Sequence, residues 1–166
     1  MSDEPRPDTA PPSRLQAEIG QTRPFGSASQ EALLGIARTA SVLDRTIARY
    51  LTPFKLSPAQ YNVLRILRGA GPGGLPTLAI RCRLIDPSAA ITRLIDKLEQ
   101  AGLVRRSRES EDRREVICRI TPDGLALLER LDPIVTADDN RLEPALSPAE
   151  LRQLIDLLDR VRENLG

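Results

Sequence analysis

The groups best suited to chemistry in this 166-residue chain are arginines, and they cluster. Arg105, Arg106, Arg108, Arg113 and Arg114 follow closely on Arg93 and Lys97, with Ser88, Ala89 and Thr92 just before them. Guanidinium forks match phosphate oxygens and the O6/N7 edge of guanine, and small or hydroxyl residues let a backbone approach a surface closely. The segment from Ser57 to Ile120 holds twelve Lys/Arg and seven Asp/Glu, a net +5, against −4 for the remainder. A basic stretch between acidic flanks suits contact with a polyanion at that stretch alone. Arginine outnumbers lysine 22 to 2, a bias that genome composition also produces.

Other chemistries lack their residues. The chain has no histidine, which removes His-based acid–base catalysis, His metal ligands and histidine pH switching. Cys82 and Cys118 are too few for a disulfide framework, show no zinc spacing and read as buried structural thiols. Gly71-Pro72-Gly73-Gly74 lacks the Lys-Ser/Thr of a phosphate-binding loop. No catalytic residue, metal or cofactor is expected. Four aromatics, Phe25, Tyr50, Phe54 and Tyr61, offer little for stacking single strands, so the expected polyanion is double-stranded DNA. No apolar run reaches membrane-spanning length and the N-terminus has no secretory pattern, so the expectation is a cytoplasmic protein with no membrane partner.

Particular elements must position these groups. Asp86 reads as an N-cap and Pro87 as the first residue of a helix reaching Ala101, with Ile91, Leu94, Ile95 and Leu98 as its apolar stripe. Its other face shows Ser88, Ala89, Thr92, Arg93, Asp96 and Lys97, which fits a helix in the major groove. Before it, Ser57-Pro58-Ala59-Gln60 is a capping box opening a helix to about Arg68, and a short helix spans about 76–84 with Leu78, Ile80 and Leu84 inward. After it, residues 103–106 and 115–120 read as strands flanking a polar, arginine-bearing tip: a wing.

Outside this lobe, residues 1–27 are proline-rich and read as a disordered or loosely attached arm. A helix over 29–51 is apolar on more than one face, including Leu33 and Ile36. Thr121 caps a helix that Asp132-Pro133 should bend and that continues to about Arg141. Ser147-Pro148-Ala149-Glu150 opens a last helix with Leu151, Leu154, Ile155 and Leu158 on one stripe. A twofold dimer built from the terminal helices is the economical way to bury both. The expected fold is mainly α with a small β-hairpin wing: an arm (1–27), dimerisation helices (28–56 and 121–166) and a winged helix-turn-helix lobe (57–120).

The stretches LSPAQYNVLRIL (56–67), ITRLIDKLEQAGLVRR (91–106) and EDRREVICRITPDG (111–124) resemble the MarR family of winged helix-turn-helix regulators. The resemblance covers about Ser29 to the C-terminus. It implies a homodimer on a pseudo-palindromic operator, and many members are repressors released by a small aromatic or phenolic ligand. By that resemblance Arg114 is the wing arginine, Asp112 the acid that braces it, and Arg106 an ion-pair partner for Asp112. Ser88, Ala89, Thr92 and Arg93 match base-facing and phosphate-facing positions, joined by Lys97, Arg108 and Arg113 as DNA-binding candidates. A ligand pocket is expected near Tyr50 and Tyr61, although Tyr61 also fits plain core. Two departures stand out: no cysteine lies in the first helix, where the family's peroxide sensors have one, and Arg81 replaces a small residue. The competing reading is a winged-helix protein interaction module that does not bind DNA by itself.

Overall fold

A serine followed three residues later by Gln or Glu starts four of the described helices. The computed structural model describes residues 13–107, 116–139 and 143–166 and divides into two compact units, one ending at Arg49 and the other beginning at Tyr50. In the first unit the Ser13 hydroxyl accepts the Gln16 N–H while Gln16 Oε1 accepts the Ser13 N–H, opening α1 (Arg14–Ile19). Gly20 closes it in the left-handed conformation at φ 66°. This helix lies within the stretch 1–27 that reads from sequence as a disordered or loosely attached arm. Helices this short are marginal alone, so propensity gives little sign of them. The capping box and the contact with the next helix stabilise it: Glu18 lies 3.6 Å from Arg38, and Leu15 packs over Gly35.

That next helix, α2 (Ala28–Leu51), buries only its last residue. Leu33, Leu34, Val42 and Leu43 stay 39–52 % exposed, so its apolar surface is largely uncovered in the single chain.

The second unit carries the core. A 3-10 turn (Thr52–Phe54) ends at Lys55, whose left-handed φ of 56° turns the chain toward buried Leu56. The Ser57/Gln60 box then opens α3 (Pro58–Ala70), which buries Tyr61, Val63, Leu64 and Leu67. Strand β1 (Leu75–Pro76) follows, a two-residue element that the sequence reading assigned to loop and helix. Next come α4 (Thr77–Cys82), α5 (Ile91–Gln100), β2 (Val104–Ser107) and β3 (Ile117–Ile120). The strands form an antiparallel sheet in the order β1-β3-β2, with Leu75 opposite Cys118 and Val104 opposite Ile120. α3 packs against α4, α5, β3 and α6 (Pro122–Asp139), so it is the spine of the unit.

Gly74 explains how the sheet admits β1. Its φ is +69°, and a Cβ there would stand 2.3 Å from the Cys118 carbonyl oxygen. Gly124 does the same for α6: a Cβ would meet the Leu103 carbonyl oxygen at 2.4 Å. Thr121 completes that junction, its hydroxyl donating to the Gly102 carbonyl at 2.7 Å and accepting the Gly124 N–H at 3.1 Å. The Thr-Pro-x-Gly pattern is thus a joint between wing and helix.

Two burial expectations are corrected. Leu78 is 64 % exposed and Cys82 is exposed, because each lies two residues, about 200° of helix turn, from fully buried Ile80. Cys118 is buried as expected. The helix α6 continues past Pro133 as expected, and buried Leu131 and Val135 and the Arg68–Asp132 pair hold both sides of it. Finally α7 (Pro148–Leu165), opened by the Ser147/Glu150 box, buries no residue at all.

Candidate nucleic-acid interface

The segment between α4 and α5 differs most from its sequence pattern. Asp86 does not cap α5. Its carboxylate accepts the Ser88 N–H at 2.9 Å and the Ser88 hydroxyl at 2.6 Å, closing an Asx turn, and the Ala89 N–H bonds back to the Asp86 carbonyl at 3.2 Å. A short acidic side chain that bonds two residues on competes with helix formation, so α5 begins at Ile91 with Ala90 as an N-cap that makes no side-chain bond. Ser88 and Ala89 therefore stand in a turn ahead of the helix. The same hydrogen bonds hold the Asp86 carboxyl below its ordinary range.

From Ile91 the helix follows its pattern. Ile91, Ile95 and Leu98 are buried, while Thr92, Arg93 and Lys97 are exposed. A concavity of about 360 Å³ joins the turn to the helix start, with Arg81, Ser88, Ala89, Thr92 and Arg93 in its walls. Among the described residues Arg93 makes no ion pair, although Asp96, three residues on, lies within reach as a helical neighbour. Arg106 explains why.

Arg106 is on β2, and its guanidinium bridges back to α5. It pairs with Asp96, lies 3.6 Å from Glu99 and donates to the Thr92 carbonyl at 3.4 Å, while its backbone N–H bonds Glu99 Oε1 at 3.1 Å. Sequence reasoning assigned Arg106 to Asp112. Asp112 lies outside the described residues; within them Arg106 locks the wing strand onto the helix and engages both acids of α5, so that neither is paired with an exposed cation of that face. Register accounts for the geometry: Arg106 sits opposite buried Cys118, so its side chain lies on the helix-facing side of the sheet. Arg119, on the other side of β3, donates to the Ser107 hydroxyl and to the Pro72 carbonyl. Arg108, Asp112, Arg113 and Arg114 lie outside the described residues.

The remaining candidates are placed as follows. Tyr61 is core: it is 9 % exposed, its hydroxyl accepts from Arg65 at 2.8 Å and the Arg65 guanidinium lies 5.7 Å from its ring centre. Tyr50 is half-buried. Leu33 is 47 % and Ile155 59 % exposed, and Ile36, Leu151 and Leu158 are half-buried. Cys118 is buried, and desolvation pushes its thiol up, which disfavours the reactive thiolate. No group of His, Cys, Asp or Glu able to hold a metal occurs among the described residues, and none of their helices is long and apolar enough to cross a membrane.

Two helices joined by a short turn, then a hairpin packed on the second helix, define a winged helix-turn-helix. Comparison with known proteins agrees. The sequence model of the MarR family matches residues 56–116. The HTH-type transcriptional regulator PecS of Dickeya dadantii is 31% identical over 132 residues, covering 78% of this chain and 79% of that one. The crystal structure of a MarR transcription factor from Planctomyces limnophilus is 40% identical, with a TM-score of 0.62 over 82% of this chain and 98% of that one. A cysteine-to-serine variant of MarR from E. coli, solved with operator DNA, is 28% identical with a TM-score of 0.67, covering 90% and 99%. The chain belongs to the MarR family of transcriptional regulators, which are not enzymes.

Proposed function

We propose that this protein is a homodimeric repressor that places α5 and its preceding turn in the major groove of a pseudo-palindromic operator. The observation that carries the reading is the α5 surface: Thr92, Arg93 and Lys97 exposed together, with Asp96 and Glu99 occupied by Arg106. Arg93 reads a guanine edge or a phosphate, a contact that contributes about 1–3 kcal/mol of discrimination where it is bidentate. Lys97, Ser88 and Ala89 border the same surface, and Arg108, Arg113 and Arg114, which fall between β2 and β3 in the sequence, are its further DNA contacts, since wing arginines suit the backbone or the adjacent minor groove. The E. coli relative solved with operator DNA supports this assignment of partner.

Dimerisation accounts for the uncovered apolar faces of α2 and α7. Leu33, Leu151, Ile155 and Leu158 belong to helices that bury almost nothing within one chain, and a twofold partner is the simplest cover. Residues 28–56 and 121–166 are then the dimerisation region and 57–120 the DNA-binding lobe, working in the cytoplasm. Release by a small aromatic ligand completes the reading, with Tyr50 as a wall of the pocket; the burial of Tyr61 argues against a direct ligand contact there.

Footprinting of the DNA upstream of the protein's own gene, beside light scattering of the free protein, tests this reading. A dimer in solution and a protected site with twofold symmetry, its half-sites about one helical turn apart, are expected. A monomer, or an unprotected upstream region, would contradict it.

A further inference from the structure

We infer that Asn62, on α3, is a positioning residue for DNA recognition: it fixes the turn that presents Ser88 and Ala89. The inference rests on the reading of α5 as the DNA-binding helix.

Between α4 and α5 the chain runs from Arg83 to Ala90 without regular structure, and its internal bonds are local. Arg83 and Leu84 bond back to Ile80 and Arg81, and Ser88 and Ala89 bond back to Asp86. Those bonds shape the turn but do not tie it to the lobe. Packing anchors only its edges, at Leu84 (6 % exposed) and Ile91 (9 %). In the middle, Ile85 projects its side chain into solvent at 88 % exposure, so nothing apolar holds the chain there. One described hydrogen bond crosses from the turn to another element: Asn62 Oδ1 accepts the Ile85 N–H at 3.0 Å, across 23 residues of sequence.

Asn62 is well placed for the task. It is half-buried on α3, between fully packed Val63 and Tyr61, so its backbone is as rigid as the core. The Asx turn begins one residue after the N–H it holds. A displaced Ile85 would shift Ser88 and Ala89 as a body, while α5 itself, anchored by Ile91, Ile95 and Leu98, would stay. The geometry therefore assigns Asn62 an effect on discrimination between sequences rather than on general attraction to DNA, because phosphate attraction tolerates small displacements and close backbone approach to base edges does not.

The test uses the full chain with two variants. Asn62→Leu keeps size and removes the acceptor; Asn62→Asp keeps an acceptor oxygen and adds a charge that weakens specific and non-specific binding alike. The readout is the ratio of affinities for the upstream operator duplex and a scrambled duplex at one salt concentration, together with amide hydrogen exchange at Ile85 in the free protein. Expected are an about three- to tenfold lower ratio for Asn62→Leu, the size of one lost hydrogen bond, with faster exchange at Ile85 and an unchanged salt slope, and a near wild-type ratio for Asn62→Asp. An unchanged ratio in Asn62→Leu overturns the inference while leaving the DNA-binding reading intact. A wild-type protein that does not separate the two duplexes removes both. Loss of exchange protection throughout α3 in Asn62→Leu, with an equal fall in both affinities, would show a merely structural role and also overturn it.

Discussion

Arg106 is the residue on which the charge of the recognition face turns. Without its guanidinium, Asp96 would be free to pair with Arg93, three residues earlier on the same helix, and Glu99 would stand as an unpaired acid beside the recognition face. Arg106→Ala is therefore expected to weaken operator binding about tenfold or more, the combined cost of a loosened wing and two unmasked acids. The thermal midpoint should fall by only a few degrees, since the pair is partly exposed. Anisotropy and thermal melts on one preparation check both, and unaltered DNA affinity would refute the clamp. The cysteines give a second residue-level expectation. Exposed Cys82 should react rapidly with a thiol reagent in the native protein, and buried Cys118, its thiol pushed up by desolvation, only on unfolding. A count of two fast thiols would contradict that placement.

Among the elements, junctions hold the lobe together as much as packing does. Arg68 on α3 grips Asp132 on α6 with two bonds of 2.7 and 3.0 Å. The bond to Arg68 holds the Asp132 carboxyl below its ordinary range. A depressed folded-state value means that the stabilisation is fully present above the unfolded value, near 3.8, and is lost as pH falls through the folded one. Asp132→Asn should thus cost about 0.5–1 kcal/mol at pH 7, a small figure because both groups are partly solvated. The deficit relative to wild type should shrink below about pH 4, as denaturant titrations at both pH values would show. The elements also show what sequence carries. The capping boxes at Ser57 and Ser147 and the apolar stripes of α3 and α5 were legible because their determinants lie within one turn of helix. The start of α5 was not: Asp-Pro reads equally as a cap or as an Asx turn, and the choice rests on the Ser88 hydroxyl. β1 was invisible because two residues carry no period, and it exists only because Gly74 lets the chain reach Cys118. The Arg106 partnership depends on strand register, which no local spacing discloses.

At the scale of the whole molecule, one chain leaves its terminal helices with apolar faces and nothing buried along α7. A chain cut before Pro144 is expected to lose the dimer and to aggregate or sediment as a monomer; a well-behaved dimer of the truncated chain would exclude α7 from the interface. The central claim is that the exposed cations of α5 read an operator. Fluorescence anisotropy of wild type and Arg93→Ala on the upstream duplex and a scrambled one, over a salt series, tests it most directly. The account predicts that wild type prefers the upstream duplex with a steep negative salt slope, and that Arg93→Ala loses most of that preference, about tenfold or more, while remaining folded. Equal affinity of wild type for both duplexes, or a preference untouched by Arg93→Ala, would contradict it.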